Sequence, residues 1–302
     1  MKPTLLVLAA GMGSRYGSLK QIDPVGPSGE TIIDYSIFDA IRAGFGKVVF
    51  IIRKSFEQDF KDIFITKLQP YIPVEYVFQE IDKIPEGLTI SPERTKPWGT
   101  AHAILMAKDC IHEPFAVING DDFYGSDAFQ TMAGFLSSLT PDQKTQYSLV
   151  GYQVGNTMSE HGTVSRGVCM ADENGLLVSV TERTNIQFVN DRIAYIDSEG
   201  NFVFLNPETL VSMNFWGFTP EYFTQTETMF ANFVKANLDS LKAEFYIPTA
   251  IDSLINSSAA SVKVLRSDAK WFGVTYKDDK PLVVAKLAQL IKAGVYPAQL
   301  WK

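Results

Sequence analysis

Residues 3–21 read PTLLVLAAGMGSRYGSLKQ: a short apolar run from Thr4 to Ala10 that opens into Gly11, Gly13 and Gly17, with Arg15 and Lys20 among them. The run is apolar at successive positions rather than alternate ones, the pattern of a strand buried on both faces at the centre of a parallel sheet. Glycines after such a strand let backbone N–H groups approach phosphate oxygens, and the two cations can offset phosphate charge. The spacing G-x-G-x-x-x-G is not the dinucleotide-binding fingerprint, and the next strand is followed by Arg53 rather than an acid. No Gly-Lys-Ser/Thr is present, which excludes a Walker loop. Read by itself, a glycine-rich turn also serves as a plain strand-to-helix connection.

Working outward, Ile33, Ile37, Phe38 and Ile41 fall at helical spacing between Thr31 and Ala43, and the pattern stops at Gly44 before the strand KVVFII. The alternation continues with a helix over 57–68, the strand VEYVFQ, a helix over 100–107 and the strand FAVIN, which ends at Gly120. This predicts an α/β fold: a Rossmann-like mixed, mostly parallel sheet flanked by helices. Beyond Ser148 the texture changes to strand-like runs separated by turn pairs such as Asn174-Gly175 and Glu199-Gly200, which add a small antiparallel extension. Helices over 220–236 and 281–293 follow, with the strand SVKVLR between them. The polar stretch from Glu80 to Pro97, with three prolines, reads as a long loop. We expect one domain over 1–302, with a nucleotide-binding half (1–150) and a second half (151–302).

With 302 residues, 46% of them hydrophobic, the chain can bury a sizeable core. A formal net charge of -7 gives no general attraction to nucleic acid or anionic lipid, so phosphate binding has to come from a local site. The opening apolar run is too short for a membrane span and lacks a signal-peptide cleavage pattern. Cys110 and Cys169 have neither metal-ligand spacing nor a disulfide framework. We therefore expect a cytoplasmic protein that binds neither nucleic acid nor membrane.

LAAGMGSRYGSLKQIDPV followed by the helix from Thr31 resembles the opening of the sugar-1-phosphate nucleotidyltransferases, glucose-1-phosphate thymidylyl- and uridylyltransferases among them. The resemblance implies that the loop wraps a nucleoside triphosphate, with Ala10, Gly11 and Gly13 against the nucleotide and Arg15 and Lys20 on the phosphates. Gln21 stands where the family usually has proline. INGDD (118–122) sits at the end of a strand, where open α/β sheets present ligands, and a carboxylate there can hold Mg²⁺. The resemblance maps the metal aspartate to Asp121, with Asp122 adjacent. Read alone, either aspartate also suits a turn or a helix cap.

In KPWGTAHAIL (96–105), Gly99 and Thr100 open a helix and match the nucleobase-binding turn, while Gln79 matches a base-reading glutamine. Trp98 is read as packing. The resemblance further assigns Gly162, Glu182 and Arg183 to the sugar phosphate and places Asn214 and Glu244 near its sugar. His161 and Arg183 replace the usual tyrosine and lysine. Without the family, Glu182 and Arg183 are adjacent strand residues on opposite faces, an ordinary charged strand end. The clearest departure is KWFGVTYKDD, where Gly273 occupies the usual position of a second metal aspartate and Asp278 or Asp279 follows.

The implied activity is transfer of a nucleotidyl group from UTP or dTTP to a sugar 1-phosphate, with Mg²⁺ and release of pyrophosphate. Two alternatives stand beside it: a cytidylyltransferase for a non-sugar phosphate such as phosphocholine, and a non-catalytic nucleotide or sugar sensor of the same fold. Family members often associate, so a homo-oligomer is compatible with the resemblance.

Overall fold

The computed structural model describes residues 1–10, 23–159, 162–273 and 279–302. β1 (Thr4–Leu8) lies between β2 (Lys47–Ile52) and β4 (Phe115–Asn119), parallel to both, and β3 (Val74–Phe78) extends the parallel core beyond β2. Its apolar run is explained by position: Leu5, Leu6 and Val7 are inaccessible because helices cover both faces.

On one face pack α1 (Ile32–Ala43), the helical segment that starts at α2 (Glu57–Phe60) and ends at α3 (Thr66–Leu68), and α5 (Ser126–Ser138). The other face carries α4 (Thr100–Leu105), α6 (Glu221–Ala236) and α7 (Ile247–Asn256). α1 begins at Thr31, whose N–H donates to Asp34 Oδ2 at 2.7 Å, and ends at Gly44 in the left-handed region at φ 96. Asp34 also accepts from Trp301 Nε1 at 2.9 Å, and α8 (Lys280–Lys292) packs with Tyr296 and Leu300 against Tyr35, so the chain end is fastened to α1.

The antiparallel part of the sheet begins at β11 (Leu210–Phe218), which pairs with β4, and continues through β7 (Val164–Ala171), β8 (Leu177–Val189), β9 (Arg192–Ile196) and β10 (Phe202–Phe204). β6 (Gln146–Gln153) pairs with β11, and β12 (Ser261–Arg266) runs parallel to β6. β5 (Asp122–Phe123) and β13 (Phe272–Gly273) form a separate two-stranded ladder. The turn at Asn174-Gly175 joins β7 to β8, and that at Glu199-Gly200 joins β9 to β10; both glycines have positive φ.

The structure adds α5 and α7 to the expected helices. Their buried residues, Ala128, Phe129, Met132, Ala133 and Leu136 in one and Ile247, Ala250, Ile251 and Leu254 in the other, follow the 3.6-residue period. The segment over 57–68 is helical but interrupted by a π turn at Lys61–Ile65.

One irregularity in β11 places the site. β11 pairs with β7 through Val211 and Ser212, then with β4 from Trp216 onward, and its register against β6 shifts between the two. Asn214 sits in that gap at φ 62, a left-handed conformation that asparagine tolerates better than most residues. The strand thereby changes neighbours beside the C-terminal ends of β1 and β4, where an open α/β sheet leaves its crevice.

Candidate active site

Two cavities open along this crevice and meet at Thr100, Asn119 and Asp121, which line both. The first, about 400 Å³, is formed by residues that leave consecutive parallel strands: Ala10 after β1, Arg53 after β2, Gln79 after β3 and Asn119 at the end of β4. Arg53 Nε donates to the Ala10 carbonyl at 2.8 Å, fixing the point where the chain leaves β1. Gln79 is 7% exposed and its Nε2 donates to the Gly99 carbonyl at 2.9 Å. It is therefore not a solvated strand end.

Gly99 is glycine for a reason of its own. Its φ is 96, and a Cβ there would sit 2.6 Å from the Phe245 carbonyl oxygen and 2.8 Å from the Phe245 nitrogen. The close approach of two backbones excludes a side chain here. Lys96 pairs with Glu244 on the same cavity, and Glu244 also accepts from Tyr246 OH at 2.6 Å. Glu244 thus belongs to the first cavity rather than to the second.

The long loop is pinned beneath this wall. Arg94, 4% exposed, donates to the carbonyls of Ser240 and Ala243, both at 2.6 Å, and its guanidinium lies 3.4 Å from the centre of the Trp98 ring. Trp98 is fully buried, donates to the Ile81 carbonyl at 2.9 Å and meets Phe230 and Phe233 edge-on, so it packs rather than stacks on a ligand.

The second cavity, about 710 Å³, is lined by Asp122, Arg166, Glu182, Asn214, Tyr246 and Trp271 among others. Asn214 Nδ2 donates to Asn119 Oδ1 at 3.4 Å, and Asn119 Nδ2 donates to Asp122 Oδ2 at 2.9 Å, a chain that runs across the junction of the cavities. Burial raises the pKa of Glu182, opposed by Arg166.

Arg166, in the run HGTVSRG (161–167), lines this cavity, and the sequence reading assigns it no role. It is 8% exposed; Nε donates to Thr157 Oγ1 at 3.1 Å, and the two terminal nitrogens donate to the carbonyls of Ser165 and Thr157. Burial lowers its pKa to about 10, partly offset by Asp122 and Glu182, so it stays charged at neutral pH. The available signal was a cation inside a strand, a placement that requires partners.

Glu182 and Asn214 line the second cavity, whereas Arg183 lines neither, its guanidinium lying 4.8 Å from the centre of the Tyr195 ring. Gly162 is exposed and also lines neither. Gly11, Gly13, Arg15, Lys20, His161 and Asp278 lie outside the described residues.

Gly273 pairs with Asp122 across the β5–β13 ladder, and a Cβ on it would fall 2.7 Å from Asp122 Oδ1. The Asp122 carboxylate therefore occupies the direction in which a side chain at 273 would point. Asp279 lines an adjoining cavity of about 250 Å³ together with Arg166, Trp271 and Gly273. Among the described residues no group of three or more His, Cys, Asp or Glu side chains is placed to hold a metal. Nor is any helix among them long and apolar enough to cross a membrane.

The nucleotidyl transferase family profile matches residues 4–274. A curated relative, the UTP--glucose-1-phosphate uridylyltransferase AglF of Haloferax volcanii, is 23% identical over 282 residues, covering 91% of this chain and 92% of its own. Among solved structures, the inositol-1-phosphate CTP transferase from T. maritima superposes with a TM-score of 0.60 at 12% identity, covering 95% of this chain and 97% of that one. A UDP-glucose pyrophosphorylase complexed with UDP-glucose gives 0.59 at 16% identity, covering 96% and 99%. The two solved structures share the fold, and the profile spans the strands, turns and side chains that build both cavities: the chain belongs to the nucleotidyl transferase family.

Proposed function

We propose that the protein transfers the nucleotidyl group of UTP or dTTP to a hexose 1-phosphate, giving a nucleotide sugar and pyrophosphate. The observation that carries this reading is the junction at Asp121, where a cavity walled by strand-end turns opens into a larger one walled by Glu182, Asn214 and Arg166. The first suits a base and ribose. The second suits a polyhydroxylated ring with its phosphate beside Arg166, and the AglF relative supports a sugar phosphate as acceptor.

In the proposed step a phosphate oxygen of the sugar 1-phosphate attacks the α-phosphorus, forming the new P–O bond as the bond to the β-phosphate bridging oxygen breaks. The departing pyrophosphate carries the electron pair. The acceptor oxygen is already anionic, so no residue has to remove a proton from it. Arg15 and Lys20 would offset charge on the triphosphate and leaving group, and the cavity walls would hold the two substrates in line.

The residues present fit a magnesium ion, which takes one or two protein carboxylates and completes its shell with phosphate oxygens and water. Asp121 and Asp122 would hold it, the second filling the place left by Gly273. When bound, Mg²⁺ supplies Lewis-acid stabilisation of the phosphate charge.

The test is pyrophosphate release with Mg²⁺ across UTP, dTTP, CTP, GTP and ATP, each with glucose, mannose, galactose and N-acetylglucosamine 1-phosphates, inositol 1-phosphate and phosphocholine. Release should require one sugar phosphate and fall about a thousandfold in Asp121→Ala. Dependence on inositol 1-phosphate or phosphocholine would transfer the assignment to a non-sugar acceptor. Nucleotide binding without release in any pair would leave a sensor.

A further inference from the structure

His102 is a buried titratable group that the proposed chemistry does not use. It lies in the first turn of α4, fully buried, stacked on Phe230 with ring centroids 4.5 Å apart. Nε2 is 2.8 Å from the Lys83 carbonyl oxygen, and Nδ1 is 3.2 Å from Gln79 Nε2. A carbonyl can only accept, so Nε2 carries the ring proton and donates it. In the neutral imidazole Nδ1 then offers a lone pair. That lone pair receives one hydrogen of the Gln79 amide, and the Gly99 carbonyl receives the other. With both amide hydrogens committed, Oε1 is what Gln79 retains for a ligand in the cavity it lines.

Reversing the amide would set its oxygen against the Gly99 carbonyl and against the Nδ1 lone pair, two repulsive contacts in a buried site. The direction of the chain is thus set at Lys83, which belongs to the loop between β3 and α4. Burial holds the imidazole pKa down at about 4, with the Lys83 bond opposing and the charge of Arg94 assisting, so the ring is neutral under ordinary conditions.

We propose that His102 is a positioning residue that locks the Gln79 amide as a hydrogen-bond acceptor, so that the cavity takes a base through a ring N–H, the N3–H of uracil or thymine. The inference rests on the reading above in taking a nucleoside triphosphate as the ligand and the first cavity as the site of its base. Uracil and thymine present a donor at N3, where cytosine presents a lone pair. Gln79 in its fixed orientation discriminates between them at that atom.

Calorimetric binding of UTP, N3-methyl-UTP and CTP, without sugar phosphate, tests this on the wild type and on His102→Leu and His102→Asn. The wild type should bind UTP about tenfold more tightly than either other nucleotide, the effect of one hydrogen bond. His102→Leu should weaken UTP about tenfold while leaving N3-methyl-UTP unchanged. His102→Asn can offer a carbonyl oxygen to Gln79 and an N–H towards Lys83, and should restore the preference. Equal binding of UTP and N3-methyl-UTP by the wild type would overturn the inference without any variant. So would an equal loss of both nucleotides in His102→Leu, which is what a purely packing role produces. The two readings fail separately: a UTP preference without pyrophosphate release in any pair removes the transfer reaction and keeps the relay, and release from a base indifferent to N3 does the reverse.

Discussion

The two cavities share Asn119, Asp121 and Thr100 but are built by different means. The first takes Leu8, Ala10, Ile51, Arg53, Gln79, Asn119 and Asp121 from within two positions of the ends of parallel strands, and the rest from the start of α4, the segment before it and Glu244. The second takes Arg166 from β7, Glu182 from β8, Asn214 from a bulge in β11, Tyr246 from the approach to α7 and Trp271 from beside β13. Much of the first wall follows from where the parallel strands stop; the second exists only once the antiparallel strands have paired.

That contrast predicts a difference in how substitutions act. On the first wall, Gly99→Ala should have the largest effect, because a methyl group at φ 96 meets the Phe245 backbone, which cannot move away as a side-chain tip can. A loss of about 4 kcal/mol in denaturant unfolding is expected. A near-neutral result would mean that the turn is less rigidly seated than the geometry implies.

The neutral burial of His102 should appear as acid sensitivity. Its pKa is depressed from 6.5 to about 4, so between those values the unfolded chain binds more protons than the folded one and stability falls as pH falls. The difference in unfolding free energy between wild type and His102→Asn should shrink by about 3 kcal/mol on going from pH 7 to pH 4. A difference independent of pH would show that the ring is not buried neutral.

On the second wall the comparison of Arg166 with Arg183 is the sharper probe, since the family resemblance assigns the second to the sugar phosphate and the fold places the first in the cavity. Arg166→Leu should lower kcat/KM about a hundredfold, because it removes a buried charge facing Asp122 and Glu182. Arg183→Leu, on a residue lying over Tyr195, should remain within about threefold. The reverse order would return the phosphate contact to Arg183.

The same contrast explains what could be read before the fold was known. The βα alternation, the turns at Gly44, Gly175 and Gly200 and the strand-end place of Asp121 are local properties that the sequence shows, whereas Gln79, Gly99 and Thr100 are singled out only by the family resemblance. α5 and α7 carry a 3.6-residue apolar period that is equally local. Arg166 was hidden because its significance lies in Thr157, Trp271 and the two acids that the fold brings to it. The role of Gly273 was equally non-local: its sequence shows a missing acid, and only the pairing with Asp122 shows the carboxylate that fills the space.

The central claim, that one substrate in each cavity is joined to the other at Asp121, is tested most directly by the mass of the product formed from the preferred nucleotide and sugar phosphate. The account predicts a single species with the combined mass of the two substrates less pyrophosphate. A nucleoside mono- or diphosphate beside unchanged sugar phosphate would contradict it, showing that the larger cavity admits water rather than an acceptor.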